Sequence, residues 1–137
     1  MDKLEVQIVT PERRVFAEEI DEIILPSIEG YFGVRPGHAP LLAQLGVGQV
    51  SCFAGGKPTL MAISGGFAEV LRGGVTVLAT NCEPADEIDA DRAAAARTRA
   101  EERLQSKRAD VDTRRAELAL ARAMNRLATV DRVRGMM

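Results

Sequence analysis

Tryptophan is absent from this 137-residue chain, tyrosine occurs once and phenylalanine four times. So few flat rings leave little with which to stack bases, and the missing indoles remove the usual anchors of a helix lying on lipid. Histidine also occurs once, at His38, and the two cysteines, Cys52 and Cys82, have neither a CxxC pairing nor a histidine neighbour. Zinc and redox motifs need closer donor spacing, so two reduced, strand-borne thiols are expected. His38 follows the turn signal Pro36-Gly37, with no serine, cysteine or acidic cluster spaced for a triad or a metal. It reads as a surface turn residue, and neither a catalytic set nor a metal site is expected.

Long apolar runs are lacking as well. None approaches the ~20 residues of a membrane span, and Met1 to Thr10 alternates where a secretory leader carries a basic start and an apolar block. A soluble, intracellular, unprocessed chain is the expectation. The net charge of -2 hides an asymmetry: six basic residues face ten acids up to Pro84, and twelve face ten from Ala85 onward. That tail excess is small and interleaved with Glu and Asp, which is no nucleic-acid footprint. Phosphate loops are missing too. Gly55-Gly56-Lys57-Pro58-Thr59 has Ser51 where a P-loop has its first glycine and Pro58 where it has Ser or Thr, and Gly46-Val47-Gly48 lacks the third glycine of a dinucleotide fingerprint.

What is present falls into two parts with different periods. From Lys3 to Cys82, "LEVQIV" alternates, "EIILP" and "VTVLA" are short β-branched runs, and Gly55-Gly56, Gly65-Gly66 and Gly73-Gly74 punctuate the chain as turn signals. The prolines fall at strand ends or in loops, where a missing N–H costs little. An antiparallel β-sandwich or flattened barrel over residues 1–84 follows. From about Asp89 apolar residues recur at helical steps: Ala93, Ala96, Ala100 and Leu104, then, after the break at Ser106 to Asp112, Ala116, Ala119, Leu120, Ala123 and Leu127. Residues 85–137 therefore read as an antiparallel two-helix hairpin, and the whole as an α+β chain. An alanine seam lets helices approach closely but buries little area, at roughly 25 cal/mol per Å². Such a hairpin is only marginally held.

Between the two parts stands "EIDADRA", Glu87 to Ala93. Carboxylates before an alanine run are ordinary helix-start chemistry, since they accept from orphan N–H groups and favour the positive end of the dipole. Whether the stretch also holds a ligand stays open on these residues alone.

"GYFGVRPGHAPLLAQLGVG" (Gly30 to Gly48), "ISGGFAEV" (Ile63 to Val70), "VTVLA" (Val75 to Ala79), "EIDADRAAAA" (Glu87 to Ala96) and "RAELALARAMNRL" (Arg115 to Leu127) together resemble the epsilon subunit family of F-type ATP synthases, bacterial type. The resemblance is colinear over nearly the whole chain. It implies a non-catalytic subunit of the rotary central stalk, peripheral on the cytoplasmic face of the bacterial membrane or on the stromal face of the thylakoid, touching the membrane only through the complex. The sheet part would dock on the gamma subunit and on the c subunits of the rotor ring, coupling proton or sodium flow to ATP synthesis. The hairpin would be a regulatory arm, permissive when folded and inhibiting ATP hydrolysis when extended into the alpha/beta hexamer. A weak seam places two such states within the few kcal/mol that a ligand can bias.

Residue by residue, the resemblance puts a docking surface on Ser27, Ile28, Glu29, Gly30, Tyr31, His38, Ala39, Pro40 and Leu42, with Ser27 to Tyr31 facing the ring. It also implies ATP as a regulatory ligand of the folded hairpin. The motif found in some bacterial members, Ile or Leu, Asp, two free positions, Arg and Ala, is filled by Ile88, Asp89, Arg92 and Ala93, with Glu83, Arg99, Arg122 and Arg126 at the associated positions. Helical geometry bears on this independently. At about 100° per residue, Arg92, Arg99 and Arg103 lie within about 40° of one another to one side of the first seam, and Arg115, Arg122 and Arg126 lie in the same rotational sense beside the second. Folding the hairpin brings both lines to one edge. A triphosphate suits gathered guanidiniums, although a solvated edge, acidic neighbours or the acidic helix-turn-helix segment of the beta subunit satisfies them as well.

Two other classes fit the sequence less well. A nucleotide-using enzyme lacks a nucleophile, base or metal cluster at recognisable spacing. A stand-alone hairpin adaptor at a membrane surface, without nucleotide sensing, is weakened by the small alanines; liposome co-sedimentation separates it from a stalk subunit.

Overall fold

The computed structural model describes residues 2–106 and 108–136. The chain divides into two compact units, Met1–Pro84 and Ala85–Met137.

The first unit holds seven strands: β1 (Leu4–Val9), β2 (Arg14–Ile20), β3 (Glu22–Ser27), β4 (Gly30–Val34), β5 (Leu41–Ala54), β6 (Lys57–Leu71) and β7 (Gly74–Pro84). They hydrogen-bond in the order β2-β1-β7-β6-β5-β3-β4, so the sheet is not closed by a β2–β4 pairing. It does fold over on itself, because β2 packs against β5 although three strands separate them in the ladder. The fold is the expected sandwich with one departure from an all-antiparallel sheet: β1 runs parallel to β7. Parallel neighbours need a long crossover, and here the whole intervening sheet supplies it.

Alternation sets the core. Leu4, Val6 and Ile8 of β1 and Val75, Val77 and Ala79 of β7 point inward, with exposed residues between them, and meet Ile23 and Leu25 of β3 and Val34 of β4. Gly55-Gly56 and Arg72-Gly73 are turns. Gly65-Gly66 is not a turn, contrary to the sequence reading: the pair lies inside the long strand β6, with φ of 74° and 125°. A side chain at Gly66 would put its Cβ 2.2 Å from the Leu78 carbonyl oxygen, so the position needs glycine for close approach as well as for its backbone.

The second unit opens with a single 3₁₀ turn, Ala85–Glu87, that packs against the second of two helices, α1 (Ala90–Gln105) and α2 (Thr113–Gly135). Each start is capped alike. Asp89 Oδ1 accepts from the Arg92 N–H at 3.0 Å, and Asp112 Oδ1 accepts from the Arg115 N–H at 3.1 Å. The caps satisfy donors that the first helical turn leaves orphaned. Ala93 and Ala100 of α1 and Ala116, Ala123 and Thr129 of α2 are buried, while Ala96, Leu104, Ala119, Leu120 and Leu127 are half-buried. The seam is therefore alanine, as the periodicity indicates, joined by Thr129, whose hydroxyl donates to the Asn125 carbonyl. The Lys107 end of the turn between the helices lies outside the described residues. No helix is long and apolar enough to cross a membrane among the described residues.

Candidate functional site

The two-residue connection between β3 and β4 carries most of the sequence-derived docking surface. Ser27 Oγ donates to the Gly30 carbonyl at 2.6 Å and accepts from the Glu29 N–H at 3.1 Å, closing the turn from within. A further bond, Ile28 N–H to the Gln44 carbonyl at 3.0 Å, ties the tip to β5. Ile28 (63% exposed), Tyr31 (60%) and Leu42 (70%) stand out from it and, with Glu29 and Gly30, border a cleft of about 390 Å³. Large apolar side chains so exposed at one end of a sheet mark a contact surface more often than a solvent-facing one. Ser27, Ile28, Glu29, Gly30, Tyr31 and Leu42 are thus brought together. His38, Ala39 and Pro40 do not line that cleft. The His38 Nδ1–H donates to the Ala39 carbonyl at 2.6 Å, and its backbone N–H donates to the Arg35 carbonyl at 3.2 Å, so this histidine holds a local turn.

A second outward apolar row went unread in the sequence. Phe67 of β6 faces Leu78 of β7 in register, both are more than half exposed, and both line a cleft of about 650 Å³ with Val9, Pro11 and Gln44. The readable signal was "GFAEV", where the apolar phase continues past the glycine pair on the solvent side.

Within "EIDADRA" the structure gives several residues structural work. Asp89 is the α1 cap and Ala93 lies in the buried seam, its N–H donating to the Asp89 carbonyl at 3.0 Å. Ile88 is half-buried, with its N–H on the Ala85 carbonyl. Arg92 and Arg99 are exposed on α1, while Arg122 and Arg126 are half-buried on α2. Glu83 is half-buried on β7 of the first unit, opposite Ala62. Arg99 and Arg103 of α1 share a cleft of about 670 Å³ with Arg115 of α2 and with the ion pair Arg108–Asp110. Arg92, Arg122 and Arg126 do not line it. Helical phase thus brings guanidiniums from both helices together at the turn end of the hairpin.

Neither cysteine is placed for chemistry. Burial, above all, pushes the Cys52 and Cys82 thiols up to about 12, which keeps them protonated and poorly nucleophilic. Among the described residues there is no cluster of histidine, cysteine and carboxylate able to hold a metal ion.

Known proteins resemble both units. The model for the ATP synthase, Delta/Epsilon chain, beta-sandwich domain matches residues 3–85, and that for the ATP synthase, Delta/Epsilon chain, long alpha-helix domain matches residues 86–131. An ATP synthase epsilon chain of Desulforamulus reducens is 48% identical over 126 residues, covering 92% of this chain and 96% of its own. One of Bacillus cytotoxicus is 47% identical over 127 residues, covering 93% and 96%. Among solved structures, a chain of the Euglena gracilis mitochondrial ATP synthase OSCP/F1/c-ring assembly superposes with a TM-score of 0.82 at 28% identity, covering 93% of this chain and 81% of that one. A chain of the Tetrahymena thermophila mitochondrial ATP synthase central stalk/c-ring shares the fold at a TM-score of 0.58 and 14% identity, covering 96% of each. With matches that run through both units in order, the chain belongs to the ATP synthase delta/epsilon family, as an epsilon-type member.

Proposed function

We propose that this chain is the non-catalytic subunit of an F-type ATP synthase central stalk that couples rotor-ring rotation to ATP synthesis and, through its hairpin, restrains ATP hydrolysis. The observation that carries the reading is the pairing of a family match over residues 3–131 with an exposed apolar tip on a sheet unit that has its own core. In this reading Ile28, Tyr31 and Leu42 meet the gamma subunit and the polar loops of the ring's c subunits. The alanine-seamed hairpin is the mobile element, because its buried contacts are methyl groups and few in number.

ATP is the regulatory ligand in the same reading. It would hold the hairpin folded through Arg92, Arg99, Arg122 and Arg126, with Ile88, Asp89 and Ala93 shaping the site. A ligand at a hundred times its dissociation constant adds about 2.7 kcal/mol to the state that binds it, enough to choose between two nearly balanced forms. Calorimetric titration of the isolated chain with ATP is the direct test. Arg92→Ala and Arg126→Ala should each weaken binding more than about tenfold, the loss of one charge-assisted contact, with the sheet unit still folded. Unchanged affinity in both variants removes the nucleotide site.

The division of labour between the units has its own test. A chain stopped after Pro84 should assemble into the complex and support ion-driven synthesis, while hydrolysis loses any restraint by the arm and the isolated piece no longer binds ATP. If the shortened chain fails to assemble, the hairpin belongs to the structural interface instead.

A further inference from the structure

Tyr31 is the only tyrosine of the chain, and although its side chain is largely exposed, its hydroxyl is not idle. The reason lies in a defect of the ladder between β3 and β5. Ile24 pairs with Ser51, but the next pair is Ser27 with Leu45, so Gly46 to Val50 of β5 lie against only Leu25 and Pro26 of β3. Regular rungs cannot span that mismatch, and Pro26 has no N–H to give. Tyr31, the cross-strand partner of Pro26 on β4, reaches over it instead. Its Oη accepts from the Gln49 N–H at 3.0 Å.

Space for this reach exists because residue 48 is glycine. A Cβ there would lie 2.6 Å from the Pro26 Cβ and 2.6 Å from the Tyr31 Oη. Gly48 has an ordinary backbone, unlike Gly30, whose φ is 129°, so its lack of a side chain serves the close approach alone. We infer that Tyr31 is a positioning residue: with Pro26, Gly48 and the Gln49 N–H it forms a latch that holds the Ile28–Gly30 tip preformed for docking. The inference rests on the proposal that this tip meets the rotor. A tip already fixed gives up little conformational freedom when its partner arrives, so the latch acts on affinity without touching the partner through its hydroxyl.

The test uses the full chain and an F1–ring complex depleted of this subunit. Three variants separate the claims: Tyr31→Phe removes only the acceptor, Gly48→Ala fills the space, and Ile28→Asp puts a charge at the contact tip. Hydrogen exchange on the isolated chain should show faster exchange at the Gln49 amide and across Ile28–Gly30 in Tyr31→Phe, with the melting midpoint of the sheet unit lowered by no more than about 4–8 °C, the cost of one hydrogen bond. Binding to the depleted complex should weaken about fivefold in Tyr31→Phe, the usual weight of one neutral hydrogen bond, and further in Gly48→Ala. Tyrosine emission, which here has a single source, should shift in Gly48→Ala. If tip exchange and affinity match the parent in Tyr31→Phe and Gly48→Ala while Ile28→Asp loses binding, the docking reading stands and the latch is overturned. If Ile28→Asp binds like the parent, the docking reading fails and takes the latch with it.

Discussion

The two units solve the same problem with different materials. The sheet unit buries Leu4, Ile8, Ile20, Ile23, Leu25, Met61 and Ile63 almost completely, side chains that each contribute about 1.5–3 kcal/mol on burial. The hairpin buries alanine methyls and one threonine, at about 0.8 kcal/mol per carbon. One unit is a packed body with a core of its own; the other is a pair of capped helices with little binding them. The contrast teaches where change of conformation is cheap in this chain: along the seam, not in the sheet.

The strongest way to break that comparison is to hollow the sheet core. Leu25→Ala, at a fully buried position, should cost about 2–5 kcal/mol and lower the chemical-denaturation midpoint followed by a β-sheet signal. A loss below about 1 kcal/mol would mean that the core is looser than its burial implies. Next in size is the seam: Ala123→Leu overfills a contact shaped for methyls and should cost about 1–3 kcal/mol, read as loss of helical circular dichroism at temperatures where the sheet unit is still folded. If both signals fall together, the units are more cooperative than their cores suggest.

The thiols offer a probe confined to the sheet. Their folded pKa values are raised to about 12 from an ordinary 9.0, chiefly by burial, so the folded state keeps its protons after the unfolded state has lost them. Stability tied to these groups is complete below about pH 9 and declines as pH rises toward 12, by about 1.4 kcal/mol per pH unit for each thiol. Denaturation midpoints of the isolated sheet unit measured from pH 8 to pH 10.5 should therefore fall, and replacing both cysteines with alanine should flatten the slope. The smallest effect expected is at the helix starts. Asp112→Ala removes one cap and should cost about 1 kcal/mol of hairpin stability, visible as reduced helicity and no change in the sheet.

Much of this architecture was legible because it depends on period. Alternation in "LEVQIV" and "VTVLA" gave strands, alanines at helical steps gave the hairpin, and Asp89 announced the first helix start, while the matching cap at Asp112 lay hidden at the end of the break between the helices. What escaped depends on partners far along the chain. Gly65-Gly66 looks like any turn pair until β7 is seen pressing the Leu78 carbonyl against it. Phe67 and Leu78 face outward only because the glycine pair and the β6–β7 register set the phase of both strands. The Tyr31 hydroxyl bonds a backbone eighteen residues away, across a register mismatch no local pattern encodes. In the candidate ligand stretch, the cap role of Asp89 was readable locally, whereas the meeting of Arg99 and Arg103 with Arg115 followed only from folding two helical phases together.

The ladder between β5 and β6 runs from Leu41 opposite Val70 to Ala54 opposite Lys57, the longest partnership in the sheet, and keeps one register on both sides of Gly46 and Gly65. Its mechanical meaning differs from its thermodynamic one. A tug applied to the β3–β4 tip and resisted along the strand direction would strain these rungs side by side, in shear, so that many hydrogen bonds must yield at once. A ribbon loaded in that way is stiff without being especially stable. For the stalk role proposed above, stiffness in that direction would let torque cross the sheet unit without calling on the weak alanine seam of the hairpin.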